Sequence, residues 1–249
     1  MVRDKKEFNQ KRFNERFDFW SRKIDSTDSC LTKYGYLRDL LLMKYTRGDS
    51  FEELKEHFEE TVRCAVGFKK GKFENGITDV FHFGSLEREI YPFLAFAIAL
   101  PVSDDTWNAL INLHPEGKDY ITDKIVATRN PERKIASFKS WDKTAPAHYK
   151  YFKLLGEALA TEDKEEQLKL VYKQLRKWRH KNWRGSVSIG SDPDLPKNPS
   201  YYGQFSYEVA AVVMAFDIDD SSFKEDIYYP KELVEYFRER TKRDDGSDR

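Results

Sequence analysis

Apolar residues recur at helical spacing along almost the whole chain and at strand spacing almost nowhere. Phe13, Phe17, Trp20 and Ile24 follow a helical period, as do Leu37, Leu40, Leu41 and Met43 after Gly35. Asp49-Ser50-Phe51-Glu52-Glu53 has the form of a capped helix start, with Phe51, Leu54, Phe58 and Val62 on one face behind it. Residues 67–76 bring glycines and lysines and read as a break. Ile90 to Leu100 is apolar nearly all round and predicts a buried helix. Ser103-Asp-Asp-Thr predicts an N-cap for a helix through Trp107, Leu110 and Ile111. Residues 157–175 read as one amphipathic helix, 206–216 as a small-residue apolar helix and 230–240 as the last. The best strand-like alternation, Val187-Ser188-Ile189, is too short to build on. The fold class is all-α.

Pro131 and Pro146 mark a seam, which gives an N-terminal helical region over 1–140 packed on a C-terminal helical domain over 141–240. A disordered tail is expected at 241–249. Residues 185–199 carry Gly185, Gly190, Pro193, Pro196 and Pro199, a long loop of the kind that often holds function.

Charge narrows the partners. In 249 residues the 43 basic side chains equal the 43 acidic ones, so the basic bias of a typical nucleic-acid binder is missing. The start, MVRDKKEFNQKRF, is too charged for a signal peptide, and the longest apolar run is about half of a membrane span. A soluble, cytoplasmic chain without a membrane partner is expected. Cys30 and Cys64 sit in no metal-ligand spacing and suggest no disulfide framework. His57, His82, His114, His148 and His180 are scattered, without HExxH or a metal-binding pair, and P-loop, GxSxG and GxGxxG patterns are absent. These absences point away from an enzyme, a metal site and a cofactor.

Two stretches keep a chemical alternative open. The run from Lys173 to Arg184 holds six Lys/Arg and no acid, interleaved with Trp178 and Trp183, the composition of a nucleic-acid groove. Leu168, Val171, Leu175 and Trp178 share a helical face, so the same run also reads as a helix with a solvated basic side. Near the C-terminus, Asp217, Asp219 and Asp220 fall in AFDIDDSSFKED, a spacing that could hold magnesium or could close one helix and cap the next. Asp217 is placed to end the preceding helix, Asp219, Asp220 or Ser221 to cap the turn after it, and Pro230 to begin the final helix. The architectural reading is favoured, because the flanking residues supply no further oxygen ligands.

The same stretch carries a family resemblance. YYGQFSYEVAAVVMAFDIDDSSFKEDIYYPKELVEYF, residues 201–237, resembles the C-terminal signature of the PoNi family: an aromatic-rich entry, an E-x-A-A helix, then a G/D-I-D-D-S-S-F turn and Y-Y-P-x-D/E-L-V. Arg3 to Ile24 and Tyr34 to Tyr45 more faintly resemble the family's N-terminal helices. Gln204-Phe205 stands where an aromatic-rich pair is expected, and Asp217 where glycine is common. The resemblance implies an immunity protein that binds and neutralises a cognate PoNe-like DNase toxin of PD-(D/E)xK type by occluding its active site. Such toxins are delivered by bacterial secretion systems. The alternative is a helical nucleic-acid-binding or scaffold module using Lys173 to Arg184.

A DNase cleft must be basic, so an inhibitor gains by presenting acids to it. Residues 185–226 hold eight acids against Lys197 and Lys224, a net of −6. Loop carboxylates enter a cleft more readily than those on a packed helix, which selects Asp192 and Asp194, with Tyr201 and Tyr202 as aromatic anchors. The competing surface is the acidic segment Glu52 to Glu60.

Overall fold

The computed structural model describes residues 10–27, 29–74, 86–144, 149–177 and 205–244. Among them are eleven α-helices and no strand, so the fold is all-α. In chain order the helices are α1 (Gln10–Asp25), α2 (Cys30–Arg47), α3 (Phe51–Glu74), α4 (Leu86–Ala99), α5 (Asp104–Leu113) and α6 (Tyr120–Ala127). There follow α7 (Phe138–Thr144), a 3-10 turn (Tyr149–Phe152), α8 (Lys153–Ala160), α9 (Lys164–Lys177), α10 (Tyr207–Phe216) and α11 (Lys231–Asp244). The helices fall into two compact units. The first takes α1, α2, α3 and α5, and the second takes α4 and α6 to α11.

In the first unit, α2 and α3 form the central pair, with α1 against α2 and α5 against α3. Gly48 ends α2 at φ 92°, a left-handed position that favours glycine, and its N–H and that of Asp49 donate to the Lys44 carbonyl. The expected start of α3 is a reciprocal cap. The Glu53 N–H donates to Ser50 Oγ at 3.2 Å, and the Ser50 N–H donates to the Glu53 carboxylate at 3.1 Å. Leu54, Phe58 and Val62 are buried along the face that the spacing predicts. The expected break does not occur over 67–74, where α3 runs through Gly67 to Glu74; residues 75–76 lie outside the described residues. Gly67 is held there by packing, because a Cβ would lie only 3.0 Å from Cys30 Cβ. Ser103 caps α5 as expected, its Oγ accepting the Thr106 N–H at 3.2 Å.

A polar contact crosses the central pair. His57 on α3 donates from Nε2 to the Leu37 carbonyl of α2 at 2.8 Å. Burial lowers this imidazole from its ordinary range to about 4.

In the second unit, α4 and α10 lie against each other, and α8 pairs with α9. The residues of α10 from Tyr207 to Met214 are all buried. Arg240 on α11 donates to the carbonyls of Ile98 at 3.0 Å and Ala99 at 3.3 Å, satisfying the end of α4 where intrahelical donors run out. The single helix expected over 157–175 is two. Thr161 ends α8 in an extended conformation (φ −91°, ψ 146°), and Asp163 starts α9 by accepting the N–H groups of Glu165 and Glu166. The sequence signal was the Thr-Glu-Asp of a cap, hidden within an unbroken apolar period. Helix α7, unforeseen, presses Phe138 and Trp141 onto α8 at Gly156, where a Cβ would lie 2.7 Å from the tryptophan ring.

Two outcomes follow. The unfolded chain binds a proton at His57 near 6.5 and the folded chain only near 4, so this contribution is fully present above pH 6.5 and is lost as pH falls toward 4. Urea unfolding should show a loss of up to about 3 kcal/mol across that window, and His57→Gln, which keeps a donor but does not titrate, should flatten the slope. Gly156→Ala should lower stability by about 1–3 kcal/mol through overpacking, read by the same titration; an unchanged midpoint would contradict the close approach of α7 and α8.

Candidate functional site

The turn between α10 and α11 uses each aspartate differently. Asp217 is the C-cap of α10 at φ 48°, ψ 50°, left-handed, with its N–H donating to the Val213 carbonyl. Glycine takes this conformation without Cβ strain, and aspartate is among the few other residues that visit it readily. Asp219 is exposed and accepts the Ser221 N–H at 2.9 Å; that bond holds its carboxyl below the usual carboxylate range. Asp220 is buried, with 3% of its surface exposed, and is the anchor of the turn. It accepts the Tyr229 hydroxyl at 2.7 Å on one oxygen and Arg238 Nη1 at 2.7 Å on the other. Arg238 also donates to the Ile218 carbonyl at 3.1 Å. One carboxylate thus ties the turn to the start and the body of α11.

Aromatic residues close the rest. Phe223 stacks on Tyr172 of α9 with ring centroids 5.7 Å apart, and meets Tyr229 edge-on at 5.3 Å. The Ser206 N–H donates to the Tyr228 carbonyl at 2.7 Å, and Ser206 Oγ to the buried Glu208 carboxylate at 2.8 Å, so the entry to α10 is pinned to the residues before α11. Pro230 stands one residue earlier than expected: α11 begins at Lys231, and the Pro230 carbonyl accepts the N–H of Val234.

A second polar node, which the sequence reading missed, lies between α4, α6 and the segment before α7. Asp119 caps α6, accepting the Thr122 N–H at 3.0 Å and the Tyr91 hydroxyl at 3.1 Å. Asp123, fully buried, receives Arg133 Nε at 2.9 Å, the Gly117 N–H at 3.0 Å and the Ala136 N–H at 3.1 Å. Burial pushes its carboxyl up, against the pull of Arg133 and the Ala136 amide. Arg133 extends to the His114 carbonyl at 3.0 Å, and burial lowers the His114 imidazole. The available signal was the Asp-Tyr-Ile-Thr cap at 119–122; nothing local announces Arg133 as a partner.

In both nodes the buried carboxylates are engaged by donors of the fold. Among the described residues no group of three or more His, Cys, Asp or Glu is placed to hold a metal ion. Among them, too, no helix is long and apolar enough to cross a membrane. Of the basic run, Lys173 to Lys177 lies on α9, where Val171 and Leu175 are buried and Lys177 sits 5.6 Å over the Tyr151 ring. Trp178, Trp183 and the rest of that run lie outside the described residues, as do Asp192, Asp194, Tyr201 and Tyr202. On the competing surface Glu52, Glu53 and Glu56 are exposed, while Glu60 pairs with Lys33 and Glu59 accepts the Ser103 N–H.

Chemical denaturation separates the roles of the three aspartates. Asp220→Ala should cost on the order of 3 kcal/mol by stranding Arg238 and Tyr229, whereas Asp219→Ala should leave the unfolding midpoint nearly in place. Asp217→Gly should be neutral or stabilising by about 0.5 kcal/mol. A magnesium site would instead show three comparable losses of divalent-ion affinity in calorimetry.

Comparison with known proteins places these nodes in one domain. A family model described as PoNe immunity proteins (PoNi), C-terminal, matches residues 117–233, from the glycine beside Asp123 to the first turn of α11. Among solved structures, the crystal structure of protein PA2201 from Pseudomonas aeruginosa has the same fold, with a TM-score of 0.67 at 13% identity over 96% of this chain and 92% of that one. No curated protein matches the chain. Residues 117–233 therefore match the C-terminal domain described for the PoNe immunity proteins, the PoNi family.

Proposed function

We propose that the chain is the immunity protein of a cognate PoNe-like DNase toxin of PD-(D/E)xK type, and that it acts stoichiometrically by occluding the toxin's active site. The observation that carries this reading is the family match over 117–233, within which Asp119, Asp123 and Asp220 are all committed to structural bonds. Carboxylates engaged in this way are poorly suited to catalysis or metal binding, and a well-braced helical domain suits a binding partner. Such a protein works in the cytoplasm of the producing cell, where the toxin would reach DNA. The toxin-contact surface proposed from sequence is Asp192 and Asp194 with Tyr201 and Tyr202, since acids complement a cleft built to hold phosphates. The rival surface is the exposed part of Glu52 to Glu60.

Co-expression tests the function: cells making the nuclease encoded beside this chain should survive only when the chain is present. No rescue, and no nuclease gene nearby, would count against immunity. For the surface, charge reversal at Asp192 and Asp194 should weaken the complex by a few kcal/mol, about a hundredfold or more in Kd, while leaving the unfolding midpoint in place. Unchanged affinity there, with loss on reversal of Glu56 and Glu59, would move the interface to α3.

A further inference from the structure

Cys30 and Cys64 belong to neither polar node, and their sequence spacing suggests no pairing. The fold nevertheless brings them together. Cys30 is the first residue of α2 and half-buried, while Cys64 lies buried on α3. The two thiols lie near enough to act on each other electrostatically. One turn further along α3, a Cβ on Gly67 would lie 3.0 Å from Cys30 Cβ and 3.7 Å from its sulfur, so the start of α2 rests directly on the face that carries Cys64. Lys33, paired with Glu60, lies close enough for its charge to act on both sulfurs.

We propose that Cys30 and Cys64 are a reversible redox pair, closing to a disulfide that latches α2 to α3 when the chain meets a low-molecular-weight disulfide. Cys30 is the entry point, because it is the more accessible of the two thiols. Burial pushes the Cys64 thiol up to about 12, so it stays protonated until Cys30 has reacted. Cys30 gives its proton to solvent and attacks one sulfur of RS–SR. That bond breaks, a mixed disulfide forms on Cys30, and one RS⁻ leaves. Cys64 then loses its proton, to RS⁻ or solvent, and attacks the Cys30 sulfur, expelling the second RS⁻. In total two thiols give up two protons and two electrons, and the reagent becomes two RSH. An external dithiol reverses the sequence.

The test equilibrates the full chain in buffers of rising oxidised-to-reduced glutathione ratio, followed by acid quench, alkylation and intact-mass measurement. The pair predicts loss of two hydrogens, protection of both cysteines from alkylation, a linked peptide joining residues 30 and 64, and reversal by dithiothreitol. Cys64→Ser should stop at a single glutathione adduct on Cys30. Cys30→Ser should take up glutathione about tenfold more slowly, since only the buried thiol remains. Circular dichroism confirms that both variants fold. The wild-type chain alone can overturn the proposal, by keeping two alkylatable thiols at the most oxidising ratio, holding a stable glutathione adduct, or linking to a second copy.

Discussion

Two helices without a polar face govern the second unit. From Ile90 to Ala97 every residue of α4 is buried, and so is every residue of α10 from Tyr207 to Met214. Neither could exist facing water, and neither offers polar side chains enough to choose its neighbours. Apolar burial brings them together, but it is not directional. The directions come from polar groups at their ends: Arg240 on the last carbonyls of α4, Ser206 on the Tyr228 carbonyl, and Asp220 on Tyr229 and Arg238. Most of what makes the C-terminal signature recognisable is this end-fixing. Asp119 and Asp123 do the same for α6 and the segment leading to α7, and both fall inside the matched family domain.

This division of labour bears on function. A buried carboxylate held by two donors gains little from meeting a partner, and removing it strands the donors. Asp119, Asp123 and Asp220 are thereby occupied, and under the proposed function recognition would fall to side chains that the scaffold leaves unused. The scaffold itself tolerates wide change in sequence, since a solved structure shares the fold at 13% identity.

Much of the fold was legible because its signals are local. The caps at Ser50 and Ser103 and the apolar face of α3 lie within a few residues of the helices they specify. Asp217 was readable for the same reason, as a helix end that tolerates a left-handed residue. Where reading failed, a distant neighbour made the decision. Gly67 looks like a breaker, yet the start of α2 presses on it and α3 continues. Thr161 interrupts a helix whose apolar period does not falter. The Asp123–Arg133 pair and the Cys30–Cys64 contact join residues whose proximity only tertiary packing creates. Of the candidate site, the architectural use of the aspartates was readable, whereas Asp192, Asp194, Tyr201 and Tyr202 were chosen on charge and loop character alone.

In the proposed function this chain neutralises a nuclease by covering the surface that DNA would occupy. Fluorescence anisotropy of labelled DNA bound to a catalytically inactive PoNe-type nuclease from the same locus tests it most directly. Occlusion predicts that one equivalent of the chain releases the DNA and that excess DNA slows formation of the protein complex. A nuclease that binds the chain and keeps its DNA, or that binds DNA undisturbed at a large excess of the chain, would contradict it.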